Sequence, residues 1–197
     1  MNKIPISHRL ERFALRLNKD NKNYILTPGT YLSNPRFNLY IFDKEGKMLE
    51  ARTSAMDLVH FKLFIELSLS ILNKNRKASV KIQCKERKRK EDGTNDENFE
   101  IVEGTYLIFE NKKEGAYIKI LKKNAEDIDF KFNLSLWHEI EISDMDLDDS
   151  IKSRMLAKSY FTSLYEVLNN IASNYMYEVN SVKEESLEDV KNKFKKK

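Results

Sequence analysis

From residue 130 the chain alternates cleanly. Phe130, Phe132, Leu134 and Leu136 are apolar, and Lys131, Asn133 and Ser135 between them are polar. Period two predicts a strand over 128–136 with one face in a core and one in water. Shorter runs of the same kind predict strands at 79–85, 99–110 and 116–122. Gly104 interrupts the second of these and marks a bulge. The 111–115 stretch (Asn-Lys-Lys-Glu-Gly) is a hairpin connection. Nearer the N-terminus, Phe37, Leu39 and Ile41 alternate with Asn38, Tyr40 and Phe42. That run enters an Asp43-Lys44-Glu45-Gly46 turn, with a return strand over 47–52. Thr27-Pro28-Gly29-Thr30 carries turn residues and predicts a break between short β-like runs at 24–26 and 31–32.

Two segments change to helical spacing. Over 55–73, Val59, Leu63, Leu67 and Ile71, with Phe64 and Leu72, form a main stripe. Leu58, Phe61, Ile65 and Leu69 spread apolar character further round, which predicts a helix buried on most sides or meeting a second subunit. Ser54 and Asp57 fit a capping box at its start. Over about 150–176, Ile151, Met155, Tyr160, Phe161, Leu164, Leu168, Ile171 and Tyr175 form one stripe behind an acidic first turn. Leu10, Phe13, Ala14 and Leu17 suggest a short amphipathic helix, the alternative being a flexible arm. The expectation is an α+β fold, a mainly antiparallel curved sheet with two long amphipathic helices. It is organised as a basic N-terminal arm (1–22), a single domain (23–178) and a charged tail (179–197), within which Ser181 opens a possible last helix. No exact internal repeat is visible, but strands followed by a helix occur twice.

Composition fits a globular chain, with 41% apolar residues, and the 34% charged share is distributed in blocks. The net charge of +4 says less than this distribution. Arg9, Arg12, Arg16, Lys19 and Lys22 cluster at the N-terminus. Residues 74–90 hold nine Lys or Arg against the single acid Glu86, and 139–149 is acidic. Separated blocks of opposite sign give a directional potential that steers a charged partner. The single cysteine, Cys84, precludes an intrachain disulfide and points to a reducing, cytoplasmic setting. No secretory start and no long apolar window are present, so neither export nor a membrane span is expected.

The sequence offers no phosphate-cradling glycine loop, no metal-spaced Cys/His set and no nucleophile motif, so no cofactor, metal or catalytic residue is assigned. The strongest chemical feature is the arm from Lys81 to Lys90. Lys81, Lys85, Arg87, Lys88, Arg89 and Lys90, with Arg12 and Arg16, could neutralise phosphates. Tyr106, Tyr117 and Trp137, with Phe130, could stack bases. The competing reading makes the lysines a solvated edge that blocks sheet-to-sheet pairing and the aromatics core. Asp144, Asp146, Asp148 and Asp149 lack the glycine and distant glutamate of a calcium loop and read better as charges at a helix start. His60, on an apolar helix, reads as a core histidine. His8 and His138 stand in no metal or triad spacing. Cys84, beside many cations, reads as a half-buried structural thiol rather than a reactive one.

The segment Phe130-Lys131-Phe132-Asn133-Leu134-Ser135-Leu136-Trp137, after three candidate strands, resembles the end of the sheet in the Whirly and transcriptional-coactivator group of single-stranded-DNA-binding proteins. The resemblance spans about residues 78–176. It implies a curved four-stranded sheet leading into a helix, binding of single strands on the sheet face and dimerisation through helices. The expectation is therefore a non-catalytic protein that binds single-stranded DNA or RNA, homodimeric and not membrane-bound. The alternative is a protein-interaction or structural module; the excess of Lys, Asn and Ile over Arg, Gly and Ala suggests an AT-rich genome, and a third reading is an enzyme or accessory factor of a phage or mobile element.

Overall fold

The computed structural model describes residues 7–31, 34–87, 101–133 and 147–194, with side chains over 9–31, 34–85, 103–133 and 147–171. Two antiparallel sheets, each followed in the chain by a helix, make an α+β architecture. The first sheet contains β1 (Ser7–Arg9), β2 (Leu15–Lys19), β3 (Lys22–Tyr31), β4 (Asn34–Asp43) and β5 (Met48–Ala55). β1 and β2 share one edge of β3, and β4 and β5 follow on its other side. The expected helix over 10–17 does not form. Leu15 and Leu17 pair with Leu26 and Tyr24 and face the core, so period two prevails over the helical spacing. The β2–β3 hairpin turns on Asp20 and Asn21, both left-handed (φ 51° and 58°), as a two-residue turn requires.

Thr27-Pro28-Gly29-Thr30 is not a turn but the interior of β3. Proline is tolerated there because the edge beside it is interrupted. β2 pairs with β3 only as far as Leu26, and β1 resumes at Gly29. A 3-10 turn at Glu11–Phe13 fills the gap. No ladder bond needs the missing Pro28 N–H, and its carbonyl accepts from Leu10 N at 3.0 Å.

The second sheet runs in sequence order: β6 (Ala78–Arg87), β7 (Ile101–Lys112), β8 (Gly115–Lys122) and β9 (Phe130–Lys131). Cys84 pairs with Thr105 and Glu86 with Val102, so Glu103 and Gly104 oppose the single Lys85, the bulge expected at Gly104. The last strand is short, and residues 134–136 of its expected span lie outside the described residues.

Helix α1 (Leu58–Asn73) begins one turn later than the capping box implied. Asp57 is the cap, accepting from His60 N at 2.9 Å. Ser54 stays in β5, where its buried hydroxyl lies 2.8 Å from Thr105 Oγ1 of β7 and joins the two sheets. Helix α2 (Asp149–Phe194) runs past the expected end near 176 through the stretch read as a tail.

One core gathers the inner faces of both sheets and both helices. Tyr24, Leu26, Phe37, Leu39 and Ile41 meet Phe61, Phe64 and Ile65 of α1. Leu107, Phe109, Ile118 and Ile120 meet Ala157, Phe161 and Leu164 of α2. Phe161 lies edge-on to Phe64 and Phe109, which locks the helices to each other and to β7. Arg52, only 2% exposed, is held bidentately by Glu50 and donates to the Glu126 carbonyl at 2.6 Å, pinning the β8–β9 loop to the first sheet. Among the described residues no helix is long and apolar enough to cross a membrane.

Candidate nucleic-acid interface

With Leu107, Phe109, Ile118 and Ile120 in the core, the alternate residues of the second sheet form its outer face. Register places Gln83 beside Tyr106, Lys81 beside Ile108 and Lys119, and Glu110 beside Tyr117 and then Lys131. Lys81, Lys85, Tyr106 and Tyr117 therefore share this face. The Lys81 ammonium sits 3.8 Å from the Tyr106 ring centroid. Gln83 donates to the Tyr106 hydroxyl at 3.0 Å, and that hydroxyl donates to Glu103, which raises the phenol above its usual pKa. Lys112 lies 5.0 Å from the Tyr117 ring centroid. Arg87 ends β6, but its side chain, with Lys88, Arg89, Lys90 and Trp137, lies outside the described residues. Phe130 is 2% exposed and belongs to the core, so it offers no stacking surface.

Much positive charge on this face is already balanced. Lys119 reaches Asp127 at 2.9 Å, Asp129 at 3.0 Å and Glu110 at 3.4 Å. Lys112 reaches both Glu110 and Asp129 at 2.8 Å. Burial opposes the Lys119 charge, but these carboxylates outweigh it and raise the lysine well above its usual value. The cluster fastens the β8–β9 loop over the sheet.

The outer face of the first sheet differs in kind. Pairing puts Arg16, Ile25, Tyr40 and Ala51 in one row, and Asn18, Asn23, Phe42 and Met48 in the next. Arg9, Gly29, Arg36 and Ala55 form a third, with Thr27, Asn38 and Thr53 between. No acidic side chain occupies these strand positions, and Glu11, 3.7 Å from Arg16, lies at the rim. The Arg9 guanidinium stacks 4.8 Å over Tyr40, and that of Arg36 lies 4.6 Å over Tyr31, itself 43% exposed. Burial lowers the Arg36 pKa, and its Nε has no hydrogen-bond partner among the described residues. The Thr27 hydroxyl on the same face also has none among them.

Of the arginines read from the sequence, Arg16 belongs to this face and Arg12 is exposed in the 3-10 turn beside it. The charge pattern places Arg9 only within a basic arm and singles out none of Arg36, Tyr31, Tyr40 and Phe42. The alternation of Tyr40 and Phe42 with Phe37, Leu39 and Ile41 marks an outward-facing, half-buried aromatic pair, and their rings lie 6.4 Å apart.

The remaining candidates take structural roles. His60 is exposed, not core, and its Nδ1 lies 2.6 Å from Asp57 Oδ2. Cys84 is buried on the inner side of β6. Asp148 accepts from Ser150 Oγ at 2.7 Å and Ile151 N at 2.8 Å, which lowers its pKa and caps α2. Asp144, Asp146, His8 and His138 lie outside the residues with described side chains. Among the described residues no group of three or more His, Cys, Asp or Glu is placed to hold a metal ion. No family model, curated protein or solved structure matches the chain.

Proposed function

We propose that this protein binds single-stranded nucleic acid on its sheet faces and performs no chemistry on it. The observation that carries the reading is the outer face of the first sheet. It combines Arg9, Arg16 and Arg36 with Tyr31, Tyr40 and Phe42 and has no carboxylate at its strand positions. Cations that follow a phosphate backbone, interleaved with rings on which bases stack, are what sequence-tolerant single-strand binding needs. The Lys81–Tyr106 pair supplies a second patch on the other sheet, continued in sequence by Arg87, Lys88, Arg89 and Lys90. The resemblance of residues 130–137 to the single-stranded-DNA-binding group implies the same ligand class.

The test is an anisotropy titration of labelled single-stranded DNA, single-stranded RNA and duplex at two salt concentrations. Proteins carrying Arg9→Ala with Arg36→Ala, and Arg87, Lys88, Arg89 and Lys90 all changed to Ala, are run in parallel. Single strands bind more tightly than duplex, affinity falls steeply with salt, and both sets of substitutions weaken it. Absence of binding to all three at low salt overturns the reading.

A second copy of the chain is a further proposed partner. Val59, Leu63 and Leu67 stand four residues apart on the outer side of α1, exposed by 74%, 49% and 46%. Apolar side chains at that spacing form a stripe suited to a helix–helix dimer contact. Light scattering of the wild type and of Leu63→Lys tests it, and a monomeric wild type at high concentration removes the dimer.

A further inference from the structure

The first sheet's outer face contains a pocket of about 320 Å³ lined by Arg16, Asn18, Asn23, Tyr24, Ile25, Phe42 and Gly46. Its volume is at the small end of the range for small-ligand sites. We infer that this pocket receives a single unstacked nucleobase of a bound strand and reads its edge through Asn18 and Asn23. The inference rests on the single-strand reading above and adds base discrimination at a named place.

The register builds the pocket. Asn18 and Asn23 are direct cross-strand partners, and Asn23 is in turn the partner of Phe42, so amide, amide and ring lie in one row across β2, β3 and β4. In the adjacent row Ile25 lies beside Arg16 on one side and Tyr40 on the other. Gly46 of the β4–β5 turn (φ 84°) lines the end beyond Phe42, with open space where a side chain would stand. Each group meets one requirement of an extruded base. Phe42 and Ile25 offer apolar contact for its faces. Two adjacent carboxamides offer donors and acceptors side by side, the complement of a base edge. Arg16 is placed to meet the phosphate of the same nucleotide, competing with its long 3.7 Å pairing to Glu11. Among the described residues neither side-chain amide makes a hydrogen bond, which leaves both turned to the pocket.

A free mononucleotide presents the same base and phosphate, and the test separates the two sources. Labelled oligo(dA), oligo(dC) and oligo(dT) are titrated with wild type, Asn18→Ala, Asn23→Ala, Phe42→Ala and Phe42→Trp, each first confirmed as folded by circular dichroism. Bound strands are then challenged with an excess of each mononucleotide. Wild type distinguishes the homopolymers, and either asparagine change shrinks the difference to within about twofold. Phe42→Ala weakens all three about tenfold, the worth of one stacked base, and Phe42→Trp restores them. Mononucleotides do not displace the strands.

If the homopolymer ranking survives both asparagine changes, the pocket is not a base reader, although strand binding stands. Displacement by mononucleotide at low concentration makes it a nucleotide site and overturns the inference in that form. If the wild type binds no homopolymer, the single-strand reading fails and takes the pocket's role with it.

Discussion

The Arg9 guanidinium lies 4.8 Å over the Tyr40 ring and so bridges β1 to β4 across the outer face of β3. It covers the row containing Thr27, which is only 1% exposed although it faces away from the core. Such an exposed stack is worth about 0.5–1 kcal/mol to the fold. The first prediction separates that small structural part from the charge. Arg9→Ala leaves the melting temperature nearly unchanged but lowers single-strand affinity and flattens its salt dependence by roughly one phosphate contact. Arg9→Lys keeps the salt slope and loses only the stacking part. Titrations across a salt series check this, and an unchanged slope in Arg9→Ala removes Arg9 from the interface.

Lys119 supplies a pH-dependent term. Its side chain is 11% exposed and surrounded by Glu110, Asp127 and Asp129. Its pKa is raised above the ordinary 10.5, so its contribution is complete below that value and lost as pH rises through the elevated one. Asp129 behaves oppositely. Burial pushes it up, but Lys112 and Lys119 bring it below the ordinary 3.8, so its contribution is complete above 3.8 and lost as pH falls through the lowered value. Stability from the cluster is therefore flat through neutrality and falls in acid below about pH 4. Asp129→Asn removes much of that acid dependence. It also destabilises at pH 7 by less than the roughly 3–5 kcal/mol of a fully broken buried pair, because Asp127 and Glu110 remain. Urea unfolding at pH 3, 5 and 7 measures both effects, and an identical acid profile in wild type and variant contradicts the account.

Tyr160 points to a stabilising change. Its ring packs on Phe13, Phe132 and Phe161, with centroids 5.6, 5.1 and 5.6 Å away. Its hydroxyl is buried without a hydrogen-bond partner among the described residues, and burial raises its pKa. Leaving such a group unpaired costs about 1–3 kcal/mol, and Phe keeps the ring contacts. Tyr160→Phe therefore raises stability by about 1 kcal/mol, read as a higher urea midpoint at unchanged slope. A lower midpoint would show that the hydroxyl has a partner.

What the sequence disclosed was local. Phe130 with Phe132, the Gly104 bulge and the 111–115 hairpin each announce themselves within a few residues, because the strand period and turn chemistry are short-range rules. Proline and glycine at 28 and 29 misled for the same reason. Whether they break a strand depends on what lies along its edge, and the gap between β1 and β2 is a tertiary fact. The start of α1 turned on a similar choice, since Ser54 was a plausible cap until Thr105, 51 residues away, claimed its hydroxyl. The outer face of the first sheet was hidden most completely. Asn18, Asn23 and Phe42 become neighbours only once β2, β3 and β4 are in register. The expected site joined the 81–90 run and Arg12 and Arg16 to aromatics of the later strands, whereas the outer face of the first sheet draws its residues from β1 to β4.

Gly115 tests how α2 is seated on the second sheet. It has φ 137°, a conformation L side chains rarely adopt, and a Cβ there would lie 2.7 Å from Ser153 Oγ and 2.8 Å from Ser153 Cβ. Ser153 is 1% exposed, and its hydroxyl accepts from Ala116 N at 3.0 Å, fixing the helix against the start of β8. The next residue of α2, Arg154, donates to Asn111 Oδ1 at 2.9 Å and to the Lys112 and Lys113 carbonyls at 2.9 and 3.0 Å, gripping the β7–β8 hairpin. Gly115→Ala strains the backbone and also pushes Ser153 off its bond, so it destabilises by roughly 2–4 kcal/mol. Ser153→Gly loses the hydroxyl bond, about 1 kcal/mol, and costs about another 1 kcal/mol as a glycine inside α2. Combining Ser153→Gly with Gly115→Ala relieves the clash but not the torsion, so the double variant costs less than the sum of the two single changes. Thermal unfolding of all four proteins measures that coupling, and strictly additive losses would mean that Gly115 is required for its torsion alone.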